Sequence, residues 1–268
     1  VSELCRQAAF YIPQDVLKAL DQAYKNETSE TGRDIIQCII ENDRIAAKEN
    51  IPICQDTGLV VVFIRLGQEL HVEGGDLYEA VNEGVRRAYT DNYLRKSIVR
   101  DPLDRINTGD NTPAIIHCDV VPGSKLHIII APKGGGSENM SAIKMLPPSA
   151  GIEGVKEFVI QTVKQAGANP CPPIIVGVGM GANFEGCAYL AKKSLMRTIG
   201  SVHPDPDYAK LEQEMLREIN NLDIGPQGFG GKNTALALYI ENAPCHITSI
   251  PVAVNIQCHA ARHAEGVL

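Results

Sequence analysis

The sequence predicts a mixed α/β fold of the α+β type, with a helical N-terminal segment followed by mixed β-sheet structure flanked by helices. Three observations predict it. Apolar residues recur at spacings of three and four through the first fifty residues, which is typical of amphipathic helices. Short apolar runs such as "LVVVFI" and "IIVGVG" are typical of buried strands. Helical and strand-like segments then alternate irregularly, which favours a mixed architecture.

The first half of the chain predicts helices, then a strand, then another helix. We expect helices over 13–27 and 32–50, a buried strand at 59–67 and a helix over 76–94. Asp76 stands just before the apolar pattern of that last helix, so we expect it to be the N-cap. Residues 110–133 predict two strands around the turn "PGS", which favours a hairpin.

The second half contains a glycine-rich loop, three helices and three strands. The sequence has no repeat, low-complexity tract or long linker, so we expect a single domain over 1–268, with its helical segment at about 1–50. The elements predicted for the second half are, in chain order, a glycine-rich loop at 134–151, a helix at 152–168, a strand and helix within 169–197, an amphipathic helix at 204–222 and two strands within 234–263.

Composition and charge exclude several classes of protein. The net charge is −7 and acids and bases are interspersed, whereas a nucleic-acid-binding domain needs a basic stripe. The longest apolar runs are too short to span a bilayer. The N-terminal residues show no basic stretch followed by an apolar one. We therefore expect a cytoplasmic protein that binds neither nucleic acid nor membrane.

Three of the eight cysteines lie where a loop meets an apolar strand. Cys54 precedes "LVVVFI", Cys171 precedes "IIVGVG", and Cys258 follows "IPVAVNI". Such junctions suit functional residues, because the strand is rigid and the loop is accessible. Prolines on both sides of Cys171 favour an extended backbone there. The long spacings do not match zinc ribbons or bacterial ferredoxins.

The other five cysteines are expected to be structural, and a chain of this size without a secretion signal is not expected to form disulfides. Their predicted settings are a frayed terminus for Cys5, the apolar stripe of a helix for Cys38, a strand for Cys118, a helix for Cys187 and a loop for Cys245.

Several other motifs have a structural interpretation beside a functional one. "QDTG" around Asp56 is good turn chemistry. Arg95 fits an exposed surface charge, and His246, His259 and His263 fit histidines of the core. "KGGGSE" lacks the spacing of a phosphate-binding loop, and "GVGMGANFE" lacks the dinucleotide-binding spacing.

Six motifs, in order, resemble one family over nearly the whole chain. They are "PICQDTG", "NTGDNTPAIIH", "KGGGSENMS", "NPCPPIIVGVGMGANFE", "LAKKSLMR" and "VNIQCHAARH". Together they resemble the alpha subunit, or equivalent domain, of the iron–sulfur (class I) fumarate hydratases and L-tartrate dehydratases. Two positions depart from the family pattern: Ala182, where a second glycine is usual, and Tyr189, on a normally aliphatic helix face.

The resemblance implies a cofactor and a set of site residues. It implies a 4Fe–4S cluster held by Cys54, Cys171 and Cys258, with one iron left open as a Lewis acid. It further implies the following roles: substrate contacts for Gln55, Asp56, Arg95, Gly135 and Gly136, and catalytic roles for Asp56 in proton transfer and for His246. Arginine suits a dicarboxylate because its planar fork binds a carboxylate through two hydrogen bonds.

The implied reaction is the reversible hydration of fumarate to L-malate. Fused members of the family continue past the last cysteine motif into a second domain. We therefore expect a cluster-bearing alpha subunit that acts with a separate beta subunit, in an alpha2beta2 assembly. Two alternatives stay open. One is an L-tartrate dehydratase alpha subunit, which converts tartrate to oxaloacetate. The other is a non-enzymatic iron–sulfur or zinc protein that senses redox state.

Overall fold

A computed structural model describes residues 1–268 and confirms the mixed α/β fold with a helical N-terminal segment. The helices are α1 Ser2–Phe10, α2 Gln14–Asn26, α3 Glu30–Glu49, α4 Leu77–Asp91, α5 Gly135–Glu138, α6 Gly151–Ala166, α7 Phe184–Ser194 and α8 Pro206–Asn220. The strands are β1 Leu59–Gly67, β2 Ile115–Val121, β3 Leu126–Lys133, β4 Ala142–Leu146, β5 Ile174–Ala182, β6 Ala235–Cys245, β7 Ile250–Gln257 and β8 Ala264–Val267.

The chain divides into two compact units. Unit 1 comprises residues 1–13, 42–135 and 262–268, and unit 2 comprises residues 14–41 and 136–261. Each unit contains one four-stranded sheet. The single domain expected over 1–268 stays a prediction. No helix in the structure combines the length and apolar character needed to cross a membrane.

The sheet of unit 1 has the strand order β2-β1-β3-β8, with β1 parallel to β2 and antiparallel to β3. The predicted hairpin of β2 and β3 is therefore wrong, because β1 lies between them. Five consecutive residues of β1 are buried, as expected of a central strand. At the end of β1, Gln68 N donates to Val121 O and Gly67 N donates to Lys125 O, so both neighbours pair with this one strand.

The core of unit 1 lies between this sheet and helices α1 and α4. Alternate β1 residues Val60, Val62 and Ile64 pack in one cluster with Val85 of α4 and Cys5 of α1. Cys5 is fully buried, and burial raises the pKa of its thiol to about 12. The expectation that Cys5 lies at a frayed terminus is therefore wrong.

As predicted, Asp76 caps α4 and accepts from the main-chain N–H groups of Tyr78 and Glu79.

The sheet of unit 2 has the order β4-β7-β5-β6, with α6 and α8 packed on one face. The opposite face carries α7, whose Cys187 and Ala191 pack on Ala253 of β7. A Cβ at Gly179 of β5 would lie 2.0 Å from the main-chain oxygen of Cys187. Glycine in "GVGMG" is thus explained by the close packing of α7 on the sheet.

Several local features differ from the sequence prediction. The short elements α5, β4 and β8 were not predicted. Cys38 is exposed on α3. The buried face of this helix carries Ile36 and Ile39, and Cys38 lies outside that face. Cys245 ends strand β6 rather than lying in a loop. These wrong predictions concern short elements and helix faces, where too few residues are present to show a clear hydrophobic periodicity.

Candidate active site

The carboxylate of Asp56 connects three segments of unit 1. Its Oδ1 accepts hydrogen bonds from Gly58 N at 3.0 Å and from Ser97 Oγ at 3.3 Å. Its Oδ2 accepts from Gly135 N at 2.8 Å. Asp56 therefore forms the turn that "QDTG" predicts and also holds the start of the glycine-rich segment. A carboxylate oxygen offers two lone pairs, so it can accept from more than one donor.

Gly58 allows the Asp56 loop to approach the end of β3. Its φ is +76°, and a Cβ there would lie 2.7 Å from the main-chain carbon of Lys133. The buried hydroxyl of Tyr89 donates toward Thr57 O at 2.8 Å and Gly58 O at 3.1 Å. The main chain around Asp56 is thus held from both sides.

A buried arginine supports the same loop from within unit 1. Arg262 is 2% exposed, and its Nη2 donates to the main-chain oxygen of Asp56 at 2.9 Å. Its Nε and Nη1 are buried without a hydrogen-bond partner. Asp43 of α3 is also 2% exposed. Burial raises the pKa of the Asp43 carboxyl to about 6, while an Asn42 hydrogen bond and the charge of Arg262 act in the opposite direction.

Arg95 and Gln55 are exposed beside this loop. The hydroxyl of Thr57 donates to the main-chain oxygen of Arg95 at 2.8 Å. Asn111, fully buried, accepts from Ser97 N at 2.6 Å and donates to Gly58 O at 3.2 Å. The structure therefore brings four of the predicted residues, Gln55, Asp56, Arg95 and Gly135, into one neighbourhood of unit 1.

Sequence reasoning missed Ser97, Asn111 and Arg262 as supports of this site. Asn111 lies within the motif "NTGDNTPAIIH", so the motif was the available signal. Arg262 lies four residues after Cys258, and its burial could not be read from composition. Ser97 carries no sequence signal, since a lone serine in a polar loop is common.

In unit 2, a main-chain hydrogen bond joins the segments of two predicted cluster ligands. His259 N, one residue beyond Cys258, donates to Cys171 O at 3.3 Å. Cys171 N donates to Ala168 O at 3.0 Å, and the φ of Cys171 is +55°. The expected extended backbone at Cys171 is therefore wrong: it lies in the left-handed region and closes a tight turn. Such a conformation for a residue other than glycine is uncommon and concentrates at functional sites.

The turn at Cys171 is held by a second segment of unit 2. Pro172 O accepts from both the main-chain N and the side-chain Nε2 of Gln227, each at 2.8 Å. Cys171 is exposed and Cys258 is partly exposed, and all eight cysteines are free thiols. The remaining predicted ligand, Cys54, belongs to unit 1 and is partly exposed.

His246 and Gly136, the other predicted residues of unit 2, lie in two different segments. His246 is exposed in the turn between β6 and β7, where its Nδ1 lies 2.8 Å from Thr248 Oγ1. Gly136 lies in α5. Glu138 at the end of α5 binds Lys192 of α7 and accepts from Asn255 Nδ2 of β7 at 3.1 Å, so this short helix is tied to both.

The three predicted ligands are cysteine thiols, which is the type of ligand that an iron–sulfur cluster needs. Soft thiolates are the usual ligands of such clusters, and the three cysteines are accessible and free of disulfides. No group of three or more His, Cys, Asp or Glu side chains in the structure is arranged to hold a single metal ion. A cluster requires a different arrangement, because each thiolate binds its own iron.

Comparison with known proteins identifies the family. The family model described as fumarate hydratase (fumerase) matches residues 1–267. The chain belongs to the fumarate hydratase family. This confirms the resemblance inferred from the six sequence motifs, and the name of the family denotes hydro-lyases, enzymes that add or remove water.

Curated members of the fumarate hydratase family include relatives that align with nearly all of this chain. A protein of Methanocaldococcus jannaschii named "Putative L(+)-tartrate dehydratase subunit alpha" is 47% identical, over 98% of this chain and 94% of its own length. The L(+)-tartrate dehydratase subunits alpha of Escherichia coli strain UTI89 and Shigella boydii are each 36% identical, over 96% of this chain and 85% of their own lengths.

Proposed function

We propose that this chain is the cluster-bearing alpha subunit of a hydro-lyase that reversibly hydrates fumarate to L-malate together with a separate beta subunit. The observation that carries the proposal is the family match over residues 1–267. The names of the relatives as alpha subunits support a separate partner chain.

The proposed cofactor is a 4Fe–4S cluster with Cys54, Cys171 and Cys258 as ligands. This proposal rests on the family resemblance. The hydrogen bond between His259 N and Cys171 O supports it for the two ligands of unit 2, because it brings their segments together. When bound, the cluster supplies a Lewis acid that polarises a substrate oxygen.

The residues of the chain then bind the substrate and hold a proton. Arg95, exposed beside the Asp56 loop, suits a carboxylate of the substrate through paired hydrogen bonds. Gln55 and the main chain of Gly135 and Gly136 are proposed further substrate contacts. Asp56 Oδ2, which accepts from Gly135 N at 2.8 Å, is the proposed atom that holds the proton exchanged with the substrate carbon.

L(+)-tartrate is a second candidate substrate, favoured by the names of the relatives at 47% and 36% identity. Tartrate carries one hydroxyl more than malate. A site that hydrogen-bonds this hydroxyl discriminates strongly against a substrate that lacks it. An alpha2beta2 assembly remains part of the proposal.

Steady-state assays of the anaerobically purified alpha–beta complex test this function. We expect turnover of fumarate and L-malate, and loss of at least about tenfold in kcat/KM for Arg95→Lys, because Lys does not reproduce the paired hydrogen bonds. Arg44→Lys, a change on α3 outside the proposed site, serves as the control. Turnover of L(+)-tartrate alone would select the second candidate, and turnover of no dicarboxylate by the complex would contradict the proposal.

A further inference from the structure

The turn between β6 and β7 gives His246 an asymmetric set of partners. His246 Nδ1 lies 2.8 Å from Thr248 Oγ1 and accepts a hydrogen bond from Thr248 N at 3.2 Å. The turn is closed by Ser249 N, which donates to His246 O at 3.2 Å, and by Cys245 Sγ, which donates to Ser249 O at 3.4 Å. Both partners of the imidazole therefore come from one residue, and both lie at Nδ1.

These contacts determine which imidazole nitrogen carries the proton. A main-chain N–H can only donate, so Nδ1 must be an acceptor and therefore unprotonated. The Thr248 hydroxyl can rotate and donate to the same nitrogen. A neutral imidazole has one N–H, so the hydrogen of neutral His246 lies on Nε2.

We propose that Thr248 is a positioning residue that holds neutral His246 as its Nε2–H tautomer, so that His246 donates a hydrogen bond to a substrate oxygen. This inference rests on the proposed function, which makes His246 an active-site residue. His246 is exposed, so Nε2 is accessible on the side of the ring away from Thr248. The dicarboxylate substrates of the proposed reaction offer carboxylate oxygens, which are strong acceptors.

The tautomer of His246 gives the two proposed catalytic residues different roles. A ring nitrogen that carries a hydrogen cannot accept the proton of a substrate carbon. His246 is therefore a donor, and among the site residues proposed on this chain Asp56, which accepts at both carboxylate oxygens, is the one that can take a proton. The inference thus assigns binding and orientation of the substrate to His246 and proton transfer to Asp56.

Nitrogen-15 NMR of histidine side chains in the 268-residue chain reads the tautomer without any activity measurement. We expect the wild type to show a protonated Nε2 and an unprotonated Nδ1 at neutral pH. Thr248→Val removes the hydroxyl donor at nearly constant volume but keeps the main-chain N–H of residue 248, so the fraction with a protonated Nδ1 should rise while remaining the minor one. Thr248→Ser keeps the hydroxyl, so its spectrum should match that of the wild type. A wild type protonated at Nδ1, or a Val variant with an unchanged spectrum, would overturn the inference.

Kinetics of the alpha–beta complex test whether the tautomer is used. We expect Thr248→Val to lower kcat/KM about tenfold, the equivalent of one hydrogen bond, and Thr248→Ser to lower it by less than about threefold. Equal kcat/KM in the Val variant and the wild type would overturn the assigned role. An inactive wild type with the expected spectrum would instead contradict the proposed function and leave the tautomer supported.

Discussion

At the scale of single residues, burial and main-chain geometry define this site more than charge does. Arg262 is one of the largest fully buried side chains, and its guanidinium donates a hydrogen bond to the main chain of Asp56. Gly58 has a positive φ and no room for a Cβ, so the Asp56 loop and the end of β3 approach closely. The hydrogen bond from buried Arg262 favours one conformation of the Asp56 loop, while the Nε and Nη1 atoms of the same guanidinium have no hydrogen-bond partner.

The raised pKa of Asp43 predicts a specific dependence of stability on pH. Because its folded-state pKa of about 6 lies above the usual value of 3.8, the native state binds the proton more tightly than the unfolded state. The stability that this group contributes is therefore full below about pH 4 and is lost as the pH rises through 6. Asp43→Asn removes this loss, so its free energy of unfolding should improve relative to wild type by about 2–3 kcal/mol between pH 4 and pH 7.

Urea unfolding at pH 4, 5, 6 and 7 measures this difference. Asp34→Asn, on the exposed face of the same helix, is the matched control and should track the wild type at every pH. If the difference between Asp43→Asn and wild type stayed constant from pH 4 to pH 7, the buried carboxyl would not titrate as described.

At the scale of elements, the short helix α5 depends on its neighbours. Four residues are too few for a helix to be stable alone. Glu138 at its end binds Lys192 of α7 and Asn255 of β7, and Asn255 also donates to Ser141 Oγ at 2.8 Å. These polar contacts hold the glycine-rich segment that the proposed function places next to the substrate.

Replacement of Lys192 tests this support. Lys192→Met keeps most of the apolar stem and removes the ammonium, so Glu138 loses this charged partner. We expect a loss of about 1–2 kcal/mol in the free energy of unfolding. The neighbouring Lys193 is exposed and lies over the ring of Tyr189. Lys193→Met should change stability by less than about 0.5 kcal/mol. Equal effects of the two variants in chemical denaturation would contradict the account.

Local elements were predicted from sequence more successfully than their pairing. Strand β1 at 59–67 and the cap at Asp76 follow from a run of apolar residues and from one capping side chain. The insertion of β1 between β2 and β3 could not be predicted, because strand order is decided by contacts distant in sequence. The left-handed turn at Cys171 likewise receives a hydrogen bond from His259 N, eighty-eight residues further along the chain (259 minus 171).

At the scale of the whole molecule, the residues predicted from the motifs are distributed over both compact units. Asp56, Arg95 and Gly135 belong to unit 1, whereas Cys171 and Cys258 belong to unit 2. The motifs predict these residues from sequence because they are local patterns within a family that matches residues 1–267. The supporting residues Ser97 and Arg262 required the three-dimensional structure, because each acts through a contact with a distant segment.

The iron and sulfide content of the anaerobically reconstituted chain tests the central claim most directly. We predict about four irons and about four sulfides per chain, with loss of the cluster in Cys54→Ser, Cys171→Ser and Cys258→Ser. Cys38→Ser, at an exposed cysteine outside the proposed ligand set, should keep the wild-type content. A wild-type chain that binds no iron, or three ligand variants that keep the full cluster, would contradict the account.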